Sequence, residues 1–143
     1  MFRKTSGLSL IIYNRQVNKM AREILFRAKR IDNGEWVEGY YVKGSTRHCI
    51  DKSLAGYPRW DIDINTLCQY TGLLDHYGNK IWENDVVYIP REDEYFKIEW
   101  EEDQARFVMS SDSLIVTFDN YWSHEVEVYG SAFDVGELLG GAE

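Results

Sequence analysis

The chain has 143 residues, 44% of them apolar and 15% aromatic, which fits one domain or two small subdomains sharing a core and excludes a disordered chain. Its net charge of −8 is uneven: residues 1–19 hold Arg3, Lys4, Arg15 and Lys19 and no acid, leaving 12 basic against 24 acidic groups, a net of −12, over residues 20–143. Such a surface repels phosphate backbones and argues against direct, sequence-independent nucleic-acid binding.

No apolar run approaches the ~18–20 residues of a membrane span, so no membrane partner is expected. Residues 1–19 combine a basic start with a short apolar run, Leu8 to Tyr13. The run is too short for a secretory signal, and no small-residue cleavage site follows. Met20 stands just before regular alternation begins, so residues 1–19 read as a loosely attached extension.

"EILFRAKRIDNGEWVEGYYV" reads as a hairpin. Ile24, Phe26 and Ala28 alternate with Leu25, Arg27 and Lys29, and Asn33-Gly34 is the strongest short turn signal, since both residues accept positive φ. Residues 43–60 are irregular, with a short strand at His48–Ile50. "WDIDIN" alternates again and sets Ile62 and Ile64 on one face. The stretch "QYTGLLDHYGNKIWENDVV" is dense in turn formers. There Thr71-Gly72 is a bend, Asp75 accepts backbone N–H groups, Gly78 supplies positive φ, and Asp85 caps the turn at Asn84. "DVVYIP", "EYFKIEWE", "ARFVM", "SLIVTF" and "HEVEVYG" follow as short strands, with Val126 and Val128 on one face and Glu125, Glu127 and Tyr129 on the other. "FDVGELLG" is one helical turn or an extended tail. The sum is a mostly-β, barrel-like chain with little helix.

Four pieces in order, "EILFRAKR", "GEWVEGYYVK", "QYTGLLDHYGNKIWENDVV" and "VEVYGSAFDVGELL", resemble the YopX family of phage and prophage proteins. The central piece is the specific one, with Gln69, Tyr70, Thr71, Gly72, Asp75, Gly78, Trp82 and Asp85 at the family's motif positions. The resemblance implies a small β subdomain at residues 20–66 and an SH3-like barrel at 67–143, the two forming one unit. It also implies phage or prophage origin and the cytoplasm of a bacterial host, but no reaction. Asn84 stands where the family has Gly, and the usual Pro of the terminal motif is missing.

Chemistry finds little support. Cys49 and Cys68 form no CxxC and no zinc pattern, and they read as reduced thiols. The one Cys–His nucleophile arrangement worth weighing is Cys68 with His48 or His124. No Walker, GxGxxG, HExxH or GxSxG motif occurs. No catalytic, cofactor or metal residue is therefore assigned. Trp36 and Trp100 alternate with charged neighbours and are expected in the core. Trp60, Tyr121 and Trp122 are expected in loops as interface anchors, and Glu99, Glu101, Glu102 and Asp103 as a carboxylate cluster facing a basic partner.

The reading is a non-enzymatic protein-interaction module with an unknown host or phage partner. An acidic mimic of nucleic acid, or an accessory protein of a phage nucleic-acid-handling complex, is the second hypothesis, and an enzyme the third. Exposed strand edges make a homo-oligomer compatible with the sequence.

Overall fold

Alternating patterns become strands where one face of each can be laid on a core, and here they do so in two antiparallel sheets. The computed structural model describes residues 23–135, so the expectations for residues 1–19 and for the tail beyond Val135 lie outside the described residues. The first sheet holds β1 (Phe26–Lys29), β2 (Trp36–Lys43), β3 (His48–Asp51), β4 (Arg59–Asp61), β5 (Cys68–Leu74) and β6 (Lys80–Trp82), in the order β4-β3-β2-β1-β5-β6. The second holds β7 (Asp85–Ile89), β8 (Glu94–Glu101), β9 (Arg106–Ser110), β10 (Ile115–Thr117) and β11 (Glu127–Ser131), in the order β10-β9-β8-β7-β11. Among the described residues, helix is limited to a 3-10 turn at Ile64–Thr66 and two short segments, α1 (Asn120–Ser123) and α2 (Ala132–Val135).

The expected barrel is not closed. The second sheet ends at β10, three residues long, and at β11, whose register breaks between Val128 and Gly130, so no ladder joins its two edges. The nearest approach to closure is in the first sheet, where the isolated bridge between Arg30 and Ile62 returns the end of β4 to β1. Two backbone bonds hold it, Ile31 N–H to the Asp61 carbonyl (3.1 Å) and Asp63 N–H to the Lys29 carbonyl (2.8 Å).

Each sheet has its own core. Ala28, Ile50 and Ile62 are buried inside the curl of the first, with Phe26, Val37, Tyr41, Trp60 and Leu67 around them. The larger core sets Val87, Ile89, Phe96, Ile98 and Met109 of the second sheet against Phe118, Val126 and Ile81, the last contributed by β6. At about 1.5–3 kcal/mol for each large apolar side chain buried, this cluster is the main favourable term of that half. Gly39 is fixed by packing: a Cβ there would lie 2.1 Å from the Asp51 carbonyl oxygen, so β2 and β3 approach too closely for any side chain.

Three local expectations are corrected. In the first hairpin only Gly34 has positive φ, 75°, because Arg30 N–H bonds the Glu35 carbonyl and leaves a four-residue loop rather than a two-residue turn. Asn33 instead accepts the Glu35 N–H on its side chain (2.9 Å). Ile62 is buried but Ile64 is exposed, because the strand ends at Asp61 and Asp63 caps the 3-10 turn that follows. Trp100 shares the parity of Phe96 and Ile98 but remains 42% exposed near the end of β8, beyond the core.

Two carboxylates join distant elements. Asp75 Oδ1 accepts the N–H groups of Tyr77 and Asn79 (both 2.8 Å), and its Oδ2 accepts that of Val128 (2.9 Å), pinning the β5–β6 hairpin to β11. Burial alone would raise its pKa, but the amides of Val128, Asn79 and Tyr77 outweigh burial and hold it below the usual carboxylate range. Asp85, 1% exposed, receives Arg27 of the first sheet at 2.5 Å and the Trp82 N–H at 2.9 Å. The Arg27 guanidinium lies between two indoles, 4.5 Å from the ring of Trp36 and 5.1 Å from that of Trp82.

Burial pushes the Asp85 carboxyl up to about 6 against the pull of Arg27 and the Trp82 amide. The folded state therefore holds this proton more tightly than the unfolded chain. The group's contribution to stability falls as pH rises from about 4 to about 6. A carbon-13 titration of the Asp85 carboxyl is expected to show a midpoint near 6, and Arg27→Met to move it higher, since the guanidinium favours the charged form. Asp75→Ala orphans three backbone donors and is expected to lower stability by about 2–4 kcal/mol in urea unfolding, with Asp75→Asn losing less.

Candidate interaction surface

Strand β4 lies at the edge of the first sheet, and its three residues alternate around Trp60. The indole packs inward on Ala28, Ile50 and Ile62, while Arg59 and Asp61 take the other face. Both outward residues are held by ion pairs. Arg59 Nε and Nη2 donate to the two oxygens of Asp51 at 2.6 and 2.9 Å. Arg47 Nε and Nη2 donate to Asp61 Oδ1 at 3.1 and 2.7 Å, and the Cys49 thiol donates to the same oxygen at 3.3 Å. The guanidinium partners lower the pKa of Asp51 and of Asp61, and each remains a carboxylate.

Three adjoining depressions surround this strand. The largest, about 570 Å³, lies between the β1–β2 hairpin and residues 61–64, and Ile31, Arg47, His48, Asp63 and Ile64 line it. A second of about 250 Å³ has Cys49 and Val42 in its lining, between Arg47 and Arg59. A third of about 260 Å³ is lined by Arg30, Arg59, Trp60 and Asp61. Shared residues make them one belt: Arg47 borders the first two, Arg59 the last two, and Asp61 the first and third. Ile31, 67% exposed, stands at its rim as an uncovered apolar side chain.

The structure separates the other candidates from the belt. Trp60 and Trp122 are half-buried in a strand and in α1 rather than in loops, because each has a core to pack on. Tyr121 is exposed and meets the Trp122 ring edge-on at 5.1 Å. Of the four carboxylates at the end of β8, three have partners nearby: Glu99 accepts the Ser110 hydroxyl (2.9 Å), Glu101 accepts Arg106 Nε (2.6 Å), and Glu102 accepts the Trp100 indole N–H (2.9 Å). Asp103 is exposed in the turn that follows β8. Within the motif, Gln69 and Tyr70 lie on β5, and Thr71 Oγ1 donates to the Ile81 carbonyl (2.8 Å) across a bulge at Gly72. Gly78 has φ of 87°, and Asn84 of 70°.

Neither thiol sits beside a histidine partner. Cys68 is fully buried, donates to the Thr66 carbonyl (3.3 Å), accepts from the Asn84 amide (3.7 Å), and is pushed up to about 11 by burial. His48 Nδ1 lies 2.5 Å from the Tyr41 hydroxyl, and His124 is an exposed residue at the end of α1. Among the described residues no group of three or more His, Cys, Asp or Glu is arranged to hold a metal ion, and no helix is long and apolar enough to cross a membrane.

Sequence reasoning found Trp60 but missed Ile31, Arg47, Arg59, Asp61 and Ile64. The one sequence signal, for Arg47 and Arg59 alone, was the irregular composition of residues 43–60, which does not say that the hairpin at 30–34 will return to meet it.

The chain belongs to the family of the YopX protein, whose sequence profile matches residues 13–140. No curated protein matches the chain as a relative.

Both cysteines are expected to resist Ellman's reagent in the folded protein and to react in denaturant, because burial keeps each thiol protonated and covered. Arg59→Ala is expected to quicken labelling of Cys49 alone, which peptide mapping of the labelled chain would register.

Proposed function

We propose that this is a non-enzymatic recognition module of a phage or prophage, working in the cytoplasm of a bacterial host and binding a protein partner through the belt around β4. The observation that carries the reading is the continuity of three depressions around one edge strand, with Arg47 and Arg59 held in place by Asp61 and Asp51 and with Ile31 and Ile64 uncovered. Guanidinium groups fixed by carboxylates lose little freedom on binding, and exposed aliphatics beside them give apolar area to a partner. The second sheet, with the β5–β6 hairpin laid on its core, is read as an open SH3-like arrangement that supports this end of the molecule.

The distribution of charge favours a second reading. Residues 84–135 hold 13 acidic and 3 basic groups, against 9 and 8 in residues 23–83. A sheet of that charge suits a mimic of nucleic acid, and the partner would then be a nucleic-acid-binding protein that DNA displaces.

A photo-crosslinking residue at position 31 is expected to capture a partner in host cells, and one at position 115, on β10, to capture none. Arg47→Glu is expected to weaken capture by about tenfold. Capture at 115 instead of 31 contradicts the belt, and displacement of the partner by DNA favours the mimic.

A further inference from the structure

The outer face of the second sheet carries tyrosines that no core explains. Tyr88 and Tyr95 are register partners on β7 and β8 with ring centroids 4.9 Å apart, and Tyr129 of β11 meets Tyr95 edge-on at 5.5 Å. Tyr129 is 53% exposed, and the other two are half-buried. Two carboxylates border this row. Asp93 accepts the Tyr88 hydroxyl at 2.8 Å, and Glu127, the register partner of Tyr88 on β11, accepts the Tyr77 hydroxyl at 3.4 Å.

Elsewhere on the same face the charges are matched: Lys97 pairs with Glu99 at 3.5 Å, and Arg106 with Glu101 at 2.6 Å. Asp93 and Glu127 have no ion-pair partner among the described residues. The surface thus joins ring faces, which attract cations through their quadrupoles, to two carboxylates that no ion pair among the described residues offsets.

We propose that the face formed by Tyr88, Tyr95 and Tyr129 with Asp93 and Glu127 docks an arginine-bearing segment of a protein partner. A guanidinium can stack on a ring and bond a carboxylate at once, which an ammonium does less well. The carboxylates repel phosphate, so nucleic acid and anionic lipid are the wrong chemistry for this surface. The surface is separate from the belt around β4, and either can fail while the other stands.

The test uses a short Gly-Arg repeat peptide, with a Gly-Glu repeat as control, titrated into the full chain and followed by amide chemical shifts. The Gly-Arg peptide is expected to bind and to shift residues of β7, β8 and β11 around Tyr88, Tyr95 and Tyr129. Tyr129→Leu keeps apolar area but removes the ring and is expected to weaken binding by about fivefold, while Tyr129→Phe retains it. Glu127→Gln is expected to weaken binding and to reduce its salt dependence. Reversing Glu101, Glu102 and Asp103 to Lys tests general acidity and is expected to change affinity by no more than about twofold. The proposal is overturned if the Gly-Arg peptide does not bind, if the shifts centre on residues 101–103, if Tyr129→Leu binds like the original chain, or if an oligonucleotide binds this face.

Discussion

The ion pair between Arg27 and Asp85 sets how the two sheets meet. Neither sheet closes on itself, and beside backbone bonds such as His76 N–H to the Val126 carbonyl (3.0 Å) this pair reaches from β1 to β7 across 58 residues of sequence. Taking both charges out of water is costly, and the site offsets the cost with close contact, the Trp82 amide and two indole faces. Losing Asp85 would leave the guanidinium uncompensated, at about 3–5 kcal/mol by the behaviour of such pairs, whereas losing Arg27 would leave a buried carboxyl that takes up a proton. Replacing both with apolar groups of similar volume would cost far less. The pair therefore fixes position more than it adds net stability. A shift of one sheet against the other breaks the ion pair, and a shift of β6 breaks the amide bond to the same carboxylate.

The same device recurs at smaller scale. Asp75 ties a hairpin to β11, and Asp134 on α2 accepts Lys29 Nζ (2.6 Å) and the Trp36 indole N–H (3.0 Å), tying the end of the described chain to β1 and β2. At Asp134 burial works against ionisation, but Lys29 and Trp36 outweigh it and keep the pKa low. The acids of this chain thus divide into two populations. Among the described residues Asp75 and Asp85 are enclosed and, with the more exposed Asp134, act as joints between elements far apart in sequence, while the larger number are solvated. The motif carboxylates that look most like chemistry, Asp75 and Asp85, belong to the first group, and their oxygens are occupied by backbone and guanidinium donors.

Local structure was legible where it depends on neighbours in the chain. The alternation of Tyr95 to Trp100 gave a strand with Phe96 and Ile98 inside, and Asn84, standing where a left-handed residue is needed, takes that conformation. What could not be read depends on partners chosen across the fold. Nothing near Cys68 says that β5 will pair with β1, and nothing near Ile62 says that it will bridge Arg30. Trp60 and Trp122 looked like loop anchors because short elements carry weak periodicity, and their cores are supplied by distant residues. The belt around β4 was illegible for the same reason, since it is assembled from five separate segments.

One feature of composition acquires a spatial meaning once the sheets are separated. The strands of the first sheet lie in residues 23–83, which sum to −1, and those of the second in residues 84–135, which sum to −10. The described part of the chain is therefore an electric dipole as well as an anion. In a field it experiences a torque, and a charged macromolecule drifting within roughly 8 Å, the screening length at physiological salt, turns it before any surfaces touch. Cationic bodies are drawn toward the second sheet and anionic bodies are turned away from it, so the orientation of an encounter is biased at a distance by charge and only afterwards refined by shape.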